Sequence, residues 1–206
     1  MYRDGCVSEL RKPVSRLGLA TLLLLPLLAQ SVAAATIAIE VASHAETIEI
    51  AASAQLNADA DSAWRVLTDY EHYVDFIPGL RESRIVGRKG ATVTVEQSGD
   101  VVLWLLHMPL DVTFEITEIA PTRLDSRVVA GDLRALNSHY VLTPTGNGVR
   151  LEYFGKLNSG FALFDSVERL AVKQNIARRF QALADEIERR PVAGSASSGL
   201  GRQDRE

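Results

Sequence analysis

The chain has 206 residues, 23% of them charged, a formal charge of −4 and a single cysteine. That length admits one domain with a sizeable core. The mildly acidic balance, with basic residues scattered, excludes an electrostatic case for nucleic acid, and one cysteine excludes an intramolecular disulfide.

Residues 1–35 read as an export signal. Arg3, Arg11, Lys12 and Arg16 make a basic start, and 17–29 is an apolar, leucine-rich run interrupted by Pro26. Ser31-Val32-Ala33-Ala34-Ala35 then offers small residues for cleavage after Ala33 or Ala35. The run is shorter than the roughly twenty residues of a membrane span, so cleavage is expected, with retention as an anchor the alternative. These residues carry four basic and two acidic groups, so their removal takes the formal charge from −4 to −6. Cys6 leaves with them, which removes thiol chemistry and any cysteine for lipid attachment. The periplasm is the expected compartment.

Over 44–56, Ile48, Ile50, Ala52, Ala54 and Leu56 alternate with Thr47, Glu49, Ala51, Ser53 and Gln55, the pattern of a strand. Asn57, Asp59, Asp61 and Ser62 supply candidate N-caps and first-turn acids for a short helix bearing Ala60, Ala63, Trp64, Leu67 and Tyr70 on one face. A second short turn through Tyr73 and Phe76 stops at Pro78-Gly79. Strands are then predicted at 81–86, 91–106 with a bulge at Gly99-Asp100, 111–119, 124–130, 134–143 and 149–157. Turn residues separate them, among them Met108-Pro109, Gly131-Asp132 and Gly146-Asn147-Gly148. Separators this short imply an antiparallel meander. One face carries Val93, Val95, Gln97, Val112, Phe114, Ile116, Leu124, Ser126, Val128, Tyr140, Leu142, Leu151 and Tyr153. Glu115, Thr117, Arg127, Arg150 and Glu152 lie on the solvated face.

Over 161–189 apolar residues recur at steps of three and four: Phe161, Phe164, Val167, Leu170, Ala171, Ile176, Ala177, Phe180, Leu183, Ala184 and Ile187. Lys173, Arg178, Arg179, Asp185 and Glu186 fall on the other, solvated face. The result is a helix of about 40 Å that stops before Pro191. Residues 191–206, rich in Ala, Gly and Ser without periodicity, read as a disordered tail.

One helix cannot cover the concave side of a seven-stranded sheet, so an apolar, aromatic-lined cavity is expected. Val95, Phe114, Tyr140 and Tyr153 are its expected floor, and Tyr70, Tyr73 and Phe76 its gate. Gln97, inward among valines, either satisfies a buried backbone group or orients a ligand's polar head. No serine has a sequence-level base, and no G-x-S-x-G, P-loop or dinucleotide fingerprint is present. His44, His72, His107 and His139 are too separated to read as metal ligands, with His107 at a strand end and Arg134 and His139 directed to solvent. Accordingly no catalytic residue, metal or cofactor is assigned.

The order of strand, two short helices, six-strand meander and long terminal helix resembles the helix-grip fold of the START-like (SRPBCC) superfamily. Trp64-x-x-Leu67-x-Asp69-Tyr70-x-x-Tyr73-x-x-Phe76-x-Pro78 resembles the opening motif of the polyketide cyclase/dehydrase group, shared by ubiquinone-binding START-domain proteins. Tyr140-x-Leu142-x-Pro144 with Gly148-Val149-Arg150-Leu151-x-Tyr153 resembles its last two strands, with Tyr140 where many relatives carry Trp. The resemblance implies an α+β fold over 36–190: a seven-stranded curved antiparallel sheet, with two short helices after its first strand, wrapped around the long C-terminal helix.

Three functions stay open. The first is an exported, non-catalytic module that binds an isoprenoid quinone or lipid, with transient membrane contact. The others are a cyclase- or dehydratase-type enzyme and a protein-interaction module with a filled core. Trp64, Tyr73, Phe76, Val95, Gln97, Phe114, Tyr140, Tyr153, Phe164 and Phe180 are the candidate ligand-binding residues.

Overall fold

Alternation with period two governs most of the chain, and it builds one antiparallel sheet. The computed structural model describes residues 37–44, 47–103, 106–158 and 165–190. The strands are β1 (Ile37–His44), β2 (Thr47–Leu56), β3 (Leu80–Lys89), β4 (Thr92–Leu103), β5 (Leu106–Ile119), β6 (Arg123–Gly131), β7 (Ala135–Thr145) and β8 (Gly148–Asn158). Their order in the sheet is β1-β2-β8-β7-β6-β5-β4-β3. Helix α1 (Ala60–Leu67) and a tight helical turn (Tyr70–Asp75) follow β2, and α2 (Asp165–Arg189) closes the described chain. The export signal and tail predicted from sequence lie outside the described residues.

The sheet has eight strands rather than seven. The extra one is β1, which pairs with β2 along its whole length, from Ile37 opposite Ala54 to His44 opposite Thr47. As an edge strand it half-buries Ile37, Ile39 and Val41 and exposes Ala38, Glu40 and Ala42. That short alternation directly follows the apolar signal-like stretch and is masked by it in the sequence.

Two further expectations are corrected. The irregularity near Gly99 belongs to β3: Leu80 pairs with Gly99 and Glu82 with Ser98, leaving Arg81 as the extra residue. β4 itself pairs with β5 in continuous register. Gly99 is required for a different reason, since a Cβ there would collide with the Gly79 carbonyl. Nor does Met108-Pro109 separate strands. β5 runs through it, with Pro109 opposite Asp100. Pairing between β5 and β6 begins only at Val112, so the missing N–H of Pro109 interrupts no ladder on that side. The β7–β8 hairpin does turn where Gly146-Asn147-Gly148 predicts. Gly148 has φ 125°, and a side chain there would strike the Leu56 carbonyl.

Asp59 is the N-cap of α1: its carboxylate accepts from the Ser62 N–H at 2.8 Å and from the Ser62 hydroxyl at 2.8 Å. The helix then buries Ala63, Val66 and Leu67. α2 packs on β1 and β2 at one side of the sheet, on β4 near the other, and on α1. Strands at opposite sides of the sheet order can touch one helix only if the sheet curls around it. Its C-terminus is fastened by charge. Arg190 bridges Glu186 at 2.6 Å and Asp69 at 2.7 Å, Arg189 also pairs with Glu186, and Asp69 holds His72 at 2.6 Å.

Candidate ligand cavity

α2 meets the sheet in two ways. Phe180, Leu183, Ala184 and Ile187 are buried in the same core as Val66, Leu67 and Tyr70. Upstream, Ala171, Val172, Asn175, Ile176 and Arg179 border a void, which Phe180 and Leu183 also touch at its edge.

The void has two adjoining lobes. The first, about 180 Å³, reaches Val101, Val102, Met108, Leu110 and Leu133. The second, about 160 Å³, reaches Tyr70, Tyr73, Leu124, Ser126, Ser138, Tyr140 and Phe180. Leu80, Gln97, Phe114, Leu136, Tyr153, Ile176 and Arg179 line both. Among the described residues, no His, Asp or Glu lines either lobe.

Most polar groups on this wall are engaged by the protein. The Asn175 amide donates to the carbonyls of Val102 and Ala171, both at 2.8 Å, and accepts from the Val102 N–H at 3.1 Å. It therefore clamps α2 to the end of β4. Gln97 donates to Ser83 at 3.2 Å, and Ser83 to the Tyr70 carbonyl at 2.7 Å, so its amide supports the backbone through a relay. The Tyr70 hydroxyl donates to Glu118 at 3.0 Å, and that of Tyr73 to the Leu67 carbonyl at 2.7 Å. Ser126 and Ser138 share a hydrogen bond at 2.8 Å. The rings of Tyr140 and Tyr153 lie 4.8 Å apart. Burial raises the pKa of both above the ordinary phenol value, so both stay neutral.

Arg179 differs. Burial lowers its pKa, and among the described residues the titratable neighbours acting on it are the hydroxyls of Tyr140 and Tyr153. Among the described residues none offers it a carboxylate within ion-pair distance or a hydrogen-bond acceptor. The sequence pattern assigns Arg179 to the solvated face, and the structure places it on the cavity wall. The signal was present: Val172, Ile176, Arg179 and Leu183 step by four, three and four along one face.

A family model described as polyketide cyclase / dehydrase and lipid transport matches residues 47–190. The chain belongs to this family. A search of curated proteins finds no match. Solved structures of the same architecture include a STAR-related lipid transfer protein from Xanthomonas axonopodis, at 15% identity and TM-score 0.62, covering 77% of this chain and 96% of that one. An aromatase/cyclase from Streptomyces aligns at 15% identity and TM-score 0.55, covering 69% of this chain and 90% of that one. A START superfamily protein from Mycobacterium smegmatis aligns at 11% identity and TM-score 0.58, covering 69% and 97%. At these identities the likeness is one of fold.

In this polyketide cyclase/dehydrase family member the candidate residues divide. Gln97, Phe114 and Tyr153 line both lobes, and Tyr73, Tyr140 and Phe180 line the second. Val95 is fully buried but belongs to the solid core and not to the cavity floor. Trp64 and Phe76 pack on the core's margin without reaching either lobe. Phe76 stacks edge-on against Tyr73, with centroids 5.5 Å apart, and Tyr73 is tied to α1 by its hydroxyl. Of the expected aromatic gate, Tyr70 and Tyr73 line the second lobe, and Phe76 backs Tyr73 from outside it. Phe164 lies outside the described residues. Leu170, predicted on the apolar stripe, is 57% exposed. Arg134 is exposed, and His139 stacks on Phe154 on the opposite face of the sheet at 5.1 Å, where burial lowers its pKa. Arg179, Asn175, Met108 and Leu110 are cavity residues that the sequence reading does not include.

Proposed function

We propose that this protein is an exported, non-catalytic module that binds an apolar small molecule, an isoprenoid quinone or another lipid, between the sheet and α2. One observation carries the reading: a two-lobed, mainly apolar cavity beside a closely packed core. Protein interiors normally close such spaces, and pockets with apolar walls and few polar groups are the usual setting for small-molecule binding. Family membership and the fold shared with a lipid transfer protein support it. Export rests on the basic, apolar and small-residue sequence of 1–35; N-terminal sequencing from the native host should find a chain beginning after Ala33 or Ala35, and an intact Met1 in the membrane fraction would refute it.

The fold shared with an aromatase/cyclase keeps an enzymatic reading in view. It lacks a carboxylate or imidazole on the described cavity wall to move protons, and Arg179 with two neutral tyrosines is poorly suited to act as a base. An interaction module built on a filled core is disfavoured by the cavity itself.

The test is fluorescence titration of the protein with N-phenylnaphthylamine, a neutral apolar probe, against Ala171→Phe. Ala171 lines the first lobe. A phenyl group there should fill it and weaken binding by about ten-fold or more while thermal unfolding stays cooperative. Unchanged binding in a folded variant would place the apolar site elsewhere.

A further inference from the structure

Arg179 reaches both lobes of the cavity from α2. Its guanidinium offers five N–H donors and keeps its charge at physiological pH. Arg179 is half-buried on this wall, and a charge drawn partly out of water without a partner is unfavourable unless something else supplies the counter-charge. Asn175, one turn away on the same face, shows the contrast, because its amide is consumed by Val102 and Ala171. The described cavity wall carries no acidic side chain, so a bound ligand is the group that can supply a partner for Arg179 there.

We infer that the ligand carries a single carboxylate on an apolar body and binds with that carboxylate against Arg179 and its chain in the first lobe. This rests on the cavity being the binding site. Among the described lining residues Arg179 has no second cation beside it, which matches one negative charge, and the planar guanidinium fork fits the two oxygens of a carboxylate. Tyr140 and Tyr153, the hydroxyl-bearing neighbours of Arg179, can donate to the same group. Polarity sets the direction. The second lobe has tyrosine and serine hydroxyls on its wall, whereas Met108, Leu110 and Leu133 give the first an apolar lining. A neutral quinone would accept a hydrogen bond from Arg179 yet leave its charge uncompensated.

The experiment is displacement of N-phenylnaphthylamine from the full chain at neutral pH by dodecanoate, dodecanol, methyl dodecanoate and decylubiquinone. Dodecanoate should compete about ten-fold more tightly than the three neutral compounds. Arg179→Met should erase that preference by weakening the acid alone, and Arg179→Lys should keep part of it. Equal affinity for acid and alcohol, tighter binding of the quinone, or a preference that survives Arg179→Met would overturn the carboxylate assignment while leaving the cavity as a site. Failure of all four to displace the probe would overturn the cavity reading and this assignment with it. A readout independent of mutation is the titration of isotope-labelled dodecanoate bound to the unaltered protein. Its carboxyl should ionise at lower pH than free dodecanoate, and ionisation at the same or higher pH would contradict contact with Arg179.

Discussion

At Ala184 and Ile187 α2 is packed solidly into the core, whereas from Ala171 to Leu183 the same helix borders open volume. Both stretches contain apolar residues at helical spacing, so the difference does not arise from a shortage of material to fill the space. It arises from what faces the helix. The filled stretch has α1 packed beside it, while the first lobe spans from α2 to β4, β5 and β7 without an intervening helix. A fold able to close one half so completely leaves the other open at the position where an unmatched cation points inward.

The comparison is broken most strongly by making one substitution in both halves. Ile187→Ala, at a fully buried position, should cost about 2–5 kcal/mol through lost burial and a new void. Ile176→Ala enlarges a void that already exists and should cost only about 1 kcal/mol. Urea titrations giving equal losses would mean that the two halves are equally well filled.

A smaller effect is expected where the open half is held to the sheet. Asn175→Ala strands the Val102 N–H and carbonyl and should cost about 1–3 kcal/mol. The loss should appear as earlier hydrogen exchange at the end of β4, with α1 unaffected. Uniform loss of protection across the sheet would contradict a local clamp.

The closed end adds a pH dependence. Hydrogen bonds from Arg189 and, after it, Arg190 hold the Glu186 carboxyl below its ordinary pKa against the effect of burial. Burial acts to raise Asp69, but hydrogen bonds from Arg190 and His72 outweigh it and leave its pKa lowered. Both groups therefore contribute stability above their unfolded values of about 4, and that contribution is lost as pH falls through the folded values. His72 runs the other way. Its hydrogen bond to Asp69 raises its pKa, so its contribution is complete below about 6.5 and is lost as pH rises through the folded value. Arg190→Met should flatten the acid limb in denaturation curves taken across pH. An acid limb identical to that of the unaltered protein would show that the bridge to α2 contributes nothing.

Most of the sheet was legible in the sequence because one face is buried and the other wet, which forces alternation in β4, β5 and β8. β1 was not, since an edge strand needs only three half-buried residues and these follow an apolar stretch of sequence. The β3 bulge at Arg81 was misplaced onto Gly99-Asp100 because glycine marks the close approach of two strands as well as a bulge. In the cavity, Phe114, Tyr140 and Tyr153 were readable as inward aromatics. Arg179 was not, since the rule that places arginine in water has no term for a charge awaiting a ligand. Val95 shows the converse: alternation says that a residue points inward, but not whether it meets side chains or space.

The central claim is that the cavity between α2 and the sheet holds a small apolar molecule. Native mass spectrometry of the protein purified from its own host tests it most directly, with the Ala171→Phe variant purified in parallel. The account predicts a small-molecule adduct on the unaltered protein that is absent from the folded variant. The bare polypeptide mass in both, or the same adduct in both, would contradict it.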